Sequence, residues 1–117
     1  MAIRLVQDRI FRSELKTLCG EDYAAMIKVV ADLDQKVLGF GGPMHHDIEA
    51  ALLADGSRLK NLWGFSLYLE RPWSEAIEFR SHVNVRPQDG NPSIQIHDEK
   101  ICQALRTLAA ERIDWNC

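Results

Sequence analysis

The sequence predicts an α+β sandwich, a single domain over residues 1–117 in which helices pack on one face of a mainly antiparallel sheet of about four strands. The length of 117 residues is typical of one domain. Helical and alternating apolar patterns follow one another in the order β-α-α-β-α-β-β-α. A short loop separates the two strongest strand patterns, which favours an antiparallel pair.

The chain begins with a predicted strand and a predicted short helix. The strand is the aliphatic run Ile3–Val6, which a charged pair follows. Ser13 is a suitable N-cap for a helix that ends at Cys19. Gly20 fits the left-handed position that often follows the last turn of a helix.

A second helix is predicted from Glu21, whose carboxylate suits the positive end of the helix dipole. Its apolar stripe at helical spacing is formed by Tyr23, Met26, Ile27, Val30 and Leu33. Residues 36–40 then predict a strand, which ends at the pair Gly41 and Gly42. A third helical pattern runs through Ile48 and Leu52 and stops at Asp55 and Gly56.

Two strands are predicted in the second half of the chain. Residues 62–69 alternate, so that one face carries Trp63, Phe65, Leu67 and Leu69. Residues 71–74 form a loop, because Pro72 cannot donate to a strand ladder. Residues 77–85 alternate most regularly of all and predict a strand that forms a hairpin with residues 62–69.

The last predicted element is a helix that Asp98 caps. Its apolar side is formed by Ile101, Leu105 and Leu108, with Arg112 at the same spacing. Residues 86–92 lie before it and are irregular, with a turn at Asp89 and Gly90.

Composition excludes several classes of protein. Hydrophobic residues make up 46% and charged residues 26%, which is the balance of a globular domain. No run approaches the ~18 apolar residues of a membrane helix, and the N-terminal apolar stretch is too short and too interrupted by charge for a signal peptide, so we expect a cytoplasmic protein without a membrane partner. A net charge of −3 makes nucleic acid an unexpected partner. The odd set Cys19, Cys102 and Cys117 predicts reduced thiols.

The segment after Gly42 contains the densest group of candidate site residues: His45, His46, Asp47 and Glu49. If Pro43 is the first helical residue, His45 and Glu49 share one face and Asp47 points away. If Asp47 is the N-cap, both histidines precede the helix, and an extended chain places His45, Asp47 and Glu49 on one side. A histidine with one or two carboxylates can bind a divalent metal or act as a general base. The alternative is a helix cap with solvated histidines.

A second polar group is predicted on the alternating strand, where one face carries Glu78, Arg80, His82, Asn84 and Arg86. Arginines can bind a carboxylate or phosphate through two hydrogen bonds. An ordinary solvent-facing strand explains the same pattern. If the loop at Gly41 lies at the same edge of the sheet, both groups border one cleft, which Gln88 and Asn91 close.

A set of residues spread over nearly the whole chain resembles a small bacterial family that is catalogued only as a domain of unknown function. These residues are Gly41-Gly42, His45, Asp47, Glu49, Leu52-Leu53, Asp55-Gly56-Ser57, Leu62-Trp63-Gly64, Tyr68, Ile77-Glu78, Asn84, Arg86-Pro87 and Asn91. The resemblance implies a single domain and no particular reaction. The chain departs from the family pattern at Leu69, where a proline is usual, and at His46, where a small residue is usual, so His45 is the better candidate.

Three hypotheses of function follow. The first is a binding or regulatory module for a small anionic ligand or a protein partner, with His45, His82 and Arg86 as donors and Asn84 and Asn91 beside them. The second is a metal-dependent hydrolase with His45, Asp47 and Glu49 as ligands or base. The third is a structural protein that self-associates, as a homodimer for example, through Trp73 or Trp115. Whether the protein is an enzyme stays open at this point.

Overall fold

A computed structural model describes residues 3–19 and 26–116 of the chain. These residues form a five-stranded sheet in which each neighbouring pair is antiparallel. The spatial order is β1 (Ile3–Val6), β4 (Val37–Gly41), β3 (Met26–Asp32), β5 (Leu62–Tyr68) and β6 (Ile77–Glu78). Two further short strands, β2 (Ile10–Phe11) and β7 (Ile113–Asp114), pair in parallel. The predicted α+β class with a mainly antiparallel sheet is confirmed.

The described helices lie on both faces of the sheet, whereas we expected them on one. The helices are α1 (Arg12–Cys19), α2 (His45–Ala54) and α3 (Glu99–Arg112). Helices α1 and α3 share one apolar core with one face of the sheet, and α2 shares a second core with the other face. The reason lies in the central strands, because Val29 faces the first core and the adjacent Val30 faces the second, both fully buried. Two apolar faces require two covering layers.

The central strand β3 corrects a prediction, since its residues were expected to belong to the second helix. Ile27, Val29 and Ala31 face one core at period two, and β-branched residues favour this pleated geometry. A helical period also fits this segment, through Met26, Ile27, Val30 and Leu33. The sequence pattern is therefore compatible with a helix as well as with a strand. Pairing with β4 on one side and β5 on the other selects the strand. The remaining part of the expected helix, and Gly20, lie outside the described residues.

The expected strand over residues 77–85 is also corrected. Only Ile77 and Glu78 continue the ladder with β5, opposite Leu67 and Ser66 as the predicted hairpin requires. The chain then leaves β5 and forms a 3-10 turn, His82–Asn84, in which Val83 donates its N–H to the Ser81 hydroxyl. The polar face expected from Glu78 to Arg86 therefore does not exist as one strand surface.

Gly64 allows this turn to lie directly on β5. A Cβ at Gly64 would meet Val83 Cγ2 at 2.6 Å and the Ser81 hydroxyl at 2.7 Å, closer than real Cβ atoms approach. Any larger residue here would push the turn away from the sheet. The turn thus replaces the missing strand beside residues 62–65.

The other predictions for the C-terminal half agree with the structure. Trp63, Phe65, Leu67 and Leu69 contact one core, as the alternation predicted. Gly90 has a left-handed φ of 83° and ends a 3-10 turn, Pro87–Asp89. The Asp98 carboxylate caps α3 by accepting the Lys100 N–H at 2.8 Å.

The cysteines and tryptophans that the structure describes are at least partly buried. Cys19 and Cys102 are buried free thiols, and burial raises the pKa of each. Cys117 lies outside the described residues. The half-buried Trp73 and Trp115 pack against each other with ring centroids 5.1 Å apart.

None of the helices in the described ranges combines the length and the apolar character that crossing a membrane requires.

Candidate functional site

Helix α2 begins at His45, which differs from both starts that the sequence left open. Met44 is the N-cap residue, with extended backbone. The Asp47 carboxylate accepts the Met44 N–H at 3.2 Å, which satisfies one of the free donors at the helix start. Pro43 precedes the helix rather than opening it. Asp47 therefore acts as a capping acceptor from the first turn and not as the N-cap.

His45 serves the fold through a hydrogen bond to the central sheet. Its Nε2 lies 2.8 Å from the carbonyl oxygen of Phe65, which the short β6 does not reach. Burial lowers the pKa of His45, the hydrogen bond to Phe65 opposes this, and nearby Lys28 lowers it further. The contact requires a proton on Nε2, and burial favours the neutral form of the imidazole.

The proposed metal ligands His45, Asp47 and Glu49 do not converge. His45 contacts the Phe65 carbonyl, Asp47 contacts the helix start, and Glu49 lies 3.4 Å from Nδ1 of His46. Within residues 3–19 and 26–116, no group of three His, Cys, Asp or Glu side chains has the geometry to hold a metal ion. The geometry thus gives the hydrolase hypothesis no ligand set at this position.

Asn84 binds the edge of β5 in the place of a strand partner. Its Oδ1 accepts the Gly64 N–H at 2.8 Å, and its Nδ2 donates to the Gly64 carbonyl at 2.9 Å. The same Nδ2 also donates to Ile94 O at 3.1 Å. Asn84 is fully buried, and these bonds satisfy its side chain.

Asn91 organises the following loop in the same way. Its Nδ2 lies within 3.0 Å of the carbonyl oxygens of Asn84, Ser93 and Gln95, and its Oδ1 accepts the His97 N–H at 2.9 Å. Asn91 and Arg86 also exchange both of their backbone hydrogen bonds. Both candidate asparagines are therefore structural.

Arg86 is a buried cation that the protein satisfies only in part. Its guanidinium lies over the Trp63 ring at 4.3 Å, and Nη1 donates to the Lys60 carbonyl at 3.1 Å. The residue is only 5% exposed, and Nη2 has no hydrogen-bond partner among the described residues. Burial lowers the pKa of Arg86, while the carboxylates of Asp89 and Glu49 raise it without pairing with it within 4.0 Å.

One other buried polar atom in the described part of the chain is unpartnered, Oδ2 of Asp32. The second oxygen of this carboxylate accepts the N–H groups of Asp34 and Gln35 in the turn after β3. Asp32 thus already has a local structural role. Arg86 differs because it lines a pocket.

The pocket beside Arg86 has a volume of about 400 Å³ and brings together residues from three parts of the chain. Of the predicted site residues it collects Glu49, His82 and Arg86, together with Gln88, and leaves out His45, Asp47, Asn84 and Asn91. Helix α2 and the arginine segment therefore do border one cleft. The lining residues outside the predicted site are Lys60, Asp89 and His46, together with the apolar Leu59, Val83 and Val85. Lys60 is 26 positions from Arg86 in the chain, and no local pattern connects the two.

The charges of this lining are mixed. Arg86 and Lys60 are cationic, and Glu49 and Asp89 are anionic. The unpaired, desolvated donor at Arg86 is the strongest local feature, because a buried charge without a partner is costly.

Fold and site together define a small α+β domain with a buried arginine beside a surface pocket. A family model matches residues 4–112 of the chain. The chain belongs to this family, which is described as "Protein of unknown function (DUF5674)". Neither the curated proteins nor the solved structures include a match to the chain.

Proposed function

We propose that the protein is a binding module for a small anion, which it holds at the Arg86 pocket. The observation that supports this most strongly is the buried, unpaired Nη2 of Arg86, a residue that is 5% exposed and lines the pocket. An acceptor that reaches Nη2 gains a charge-assisted hydrogen bond and removes the cost of an unsatisfied buried donor. The free-energy cost of the unsatisfied donor is already present in the protein without ligand.

The arginine is also held in place before binding. The Trp63 ring supports one face of the guanidinium, and the Lys60 carbonyl accepts from Nη1. A preorganised donor loses little conformational entropy when the ligand binds. Lys60, His46 and His82 provide further donors at the same pocket.

Binding rather than catalysis fits the composition of the pocket. Among the described residues, its lining contains no serine, threonine or cysteine that would act as a nucleophile. An acidic residue of a protein partner offers the same chemistry as a free small anion. In this proposal the protein works in the cytoplasm, where thiols such as Cys19 and Cys102 stay reduced.

The test is an anion titration of the purified protein and its Arg86→Met variant, followed by NMR chemical shifts and by thermal unfolding. We expect acetate, formate or phosphate to shift the resonances around Arg86 and to raise Tm in the wild type. In Arg86→Met the affinity should fall at least about ten-fold, because a charged hydrogen bond of ~1.5 to 3 kcal/mol is lost. Stability without ligand should be unchanged or higher, because methionine removes an unpaired buried charge.

The matched control is Arg80→Met, which removes the same charge from an exposed position of the same segment that does not line the pocket. Its anion affinity should equal that of the wild type. An equal loss of anion affinity in both variants would mean that net charge alone causes the effect, which would contradict the proposal. A large loss of stability in Arg86→Met, with no anion binding to the wild type, would show a purely structural arginine.

A further inference from the structure

The pocket beside Arg86 also has an apolar wall. Leu59 is 53% exposed and Val85 is 43% exposed, and both line the pocket next to the buried Val83. They are two of the five large hydrophobic side chains that are well exposed in the described part of the chain. Single exposed hydrophobics are common, but two of them at the pocket of an unpaired cation indicate a ligand with an apolar part.

The charge distribution limits the ionised part of that ligand. The carboxylates of Glu49 and Asp89 lie in the same lining as the cations Arg86 and Lys60. The four formal charges of these side chains cancel, so the lining has no excess positive charge that would attract a dianion. A monoanion needs one strong donor, and Nη2 of Arg86 is the unpaired one.

The remaining donor geometry points to a carboxylate. Nη1 donates one of its two N–H groups to the Lys60 carbonyl, so Nη2 is the donor of Arg86 that is left without a partner for a ligand oxygen. The other carboxylate oxygen can accept from Lys60 or His82 at the same pocket. The volume of about 400 Å³ leaves room for an apolar group beside the carboxylate.

We propose that the Arg86 pocket binds a small monocarboxylate with an apolar chain or ring, its carboxylate at Arg86 and its apolar part against Leu59 and Val85. This inference rests on the anion-binding function proposed above and names the class of ligand. The transfer of the apolar part from water into the pocket contributes to the binding free energy. The carboxylate fixes the orientation of the ligand.

The test is a titration of the full chain by NMR at constant ionic strength with acetate, propionate, butyrate, pentanoate and hexanoate, and with phosphate. We expect Kd to fall about two- to four-fold for each added methylene, as burial of apolar area requires, until the pocket is filled. Phosphate should bind more weakly than butyrate. Resonances of Leu59 and Val85 should shift more with each added carbon.

Two surface variants keep the test specific. Leu59→Ser removes apolar area from the pocket. In this variant Kd should fall by less than about 1.5-fold for each added methylene. Leu53→Ser is the matched control, because Leu53 is 40% exposed on α2 and does not line this pocket. It should keep the wild-type dependence on chain length. Both substitutions are at exposed positions, so folding is expected to survive, and the NMR spectrum verifies it.

The outcomes separate this inference from the function on which it rests. Equal affinity for acetate and hexanoate, lost in Arg86→Met, overturns the apolar ligand and leaves the anion site intact. Tighter binding of phosphate than of any carboxylate also overturns the apolar ligand and leaves the anion site intact. Absence of binding by every anion, or hexanoate binding that Arg86→Met does not weaken, overturns both.

Discussion

Asn84 and Arg86 lie two positions apart in one segment and both are buried, yet their hydrogen-bond states are opposite. Asn84 uses its side-chain oxygen and nitrogen on the edge of β5. Arg86 keeps Nη2 unpartnered among the described residues. A buried polar group that is satisfied inside the protein is part of the fold, whereas we propose a ligand-binding role for one that is unsatisfied beside a pocket.

The largest expected effect tests the structural role of Asn84. Asn84→Ala leaves the N–H and carbonyl of Gly64 without partners and opens a cavity, so the free energy of unfolding should fall by about 2 to 4 kcal/mol. Urea unfolding at neutral pH measures this. Arg86→Met, two residues away, provides the contrast, because it should leave stability unchanged or higher. A loss below about 1 kcal/mol in Asn84→Ala would contradict the role assigned to the asparagine.

The sequence predicted those parts of the fold in which one local pattern dominates. Alternation over residues 62–69 and the cap at Asp98 were confirmed, since each depends on neighbours in the chain. Met26 to Leu33 satisfied both a helical and a strand period, and only pairing with β4 and β5 decides between them. Residues 79–85 alternate in sequence but leave the sheet, because Gly64 allows a close turn and the Asn84 side chain bonds to the edge of β5.

The candidate site was predictable by residue type and only partly by geometry. Arg86, His82 and Glu49 were selected as donors or acids, and they line one pocket. Nothing local distinguishes the structural Asn84 from the pocket residue Arg86, because both sit at alternate positions of one polar pattern. Their hydrogen-bond partners separate them, and these depend on the backbone of Gly64 and Lys60.

A smaller effect tests whether Glu49 competes with the ligand for Arg86. The Glu49 carboxylate raises the pKa of Arg86 and lines the same pocket, although it does not pair with the guanidinium. Glu49→Gln should therefore tighten the binding of a monoanion by about three-fold, since one repulsive charge is removed. NMR titration with butyrate measures the change.

Glu75→Gln is the control, because it alters net charge equally at an exposed position outside the pocket lining. It should change the affinity much less. If Glu49→Gln instead destabilised the protein and left affinity unaltered, Glu49 would be the internal partner of Arg86. The contrast between satisfied Asn84 and unsatisfied Arg86 would then disappear.

The smallest expected effect concerns His45, whose side chain, like that of Asn84, has a hydrogen-bond partner inside the protein. Burial lowers its pKa in the folded state, so below a pH of about 6.5 the unfolded chain binds more protons than the folded one. The stability that neutral His45 contributes is therefore fully present above that pH and is lost as pH falls toward the lowered folded value. His45→Gln retains a donor for the Phe65 carbonyl and does not titrate, so its stability should fall less than that of the wild type between pH 7.5 and 5.

Urea unfolding of both proteins at several pH values measures this difference, and the other titrating groups largely cancel in the comparison. Anion affinity at pH 7.5 should be the same in His45→Gln and the wild type, because His45 does not line the pocket. An affinity that fell with this substitution would place His45 in the binding site beside Arg86. A histidine that changes only the pH dependence of stability belongs, with Asn84 and Asn91, to the framework that holds Arg86 in position.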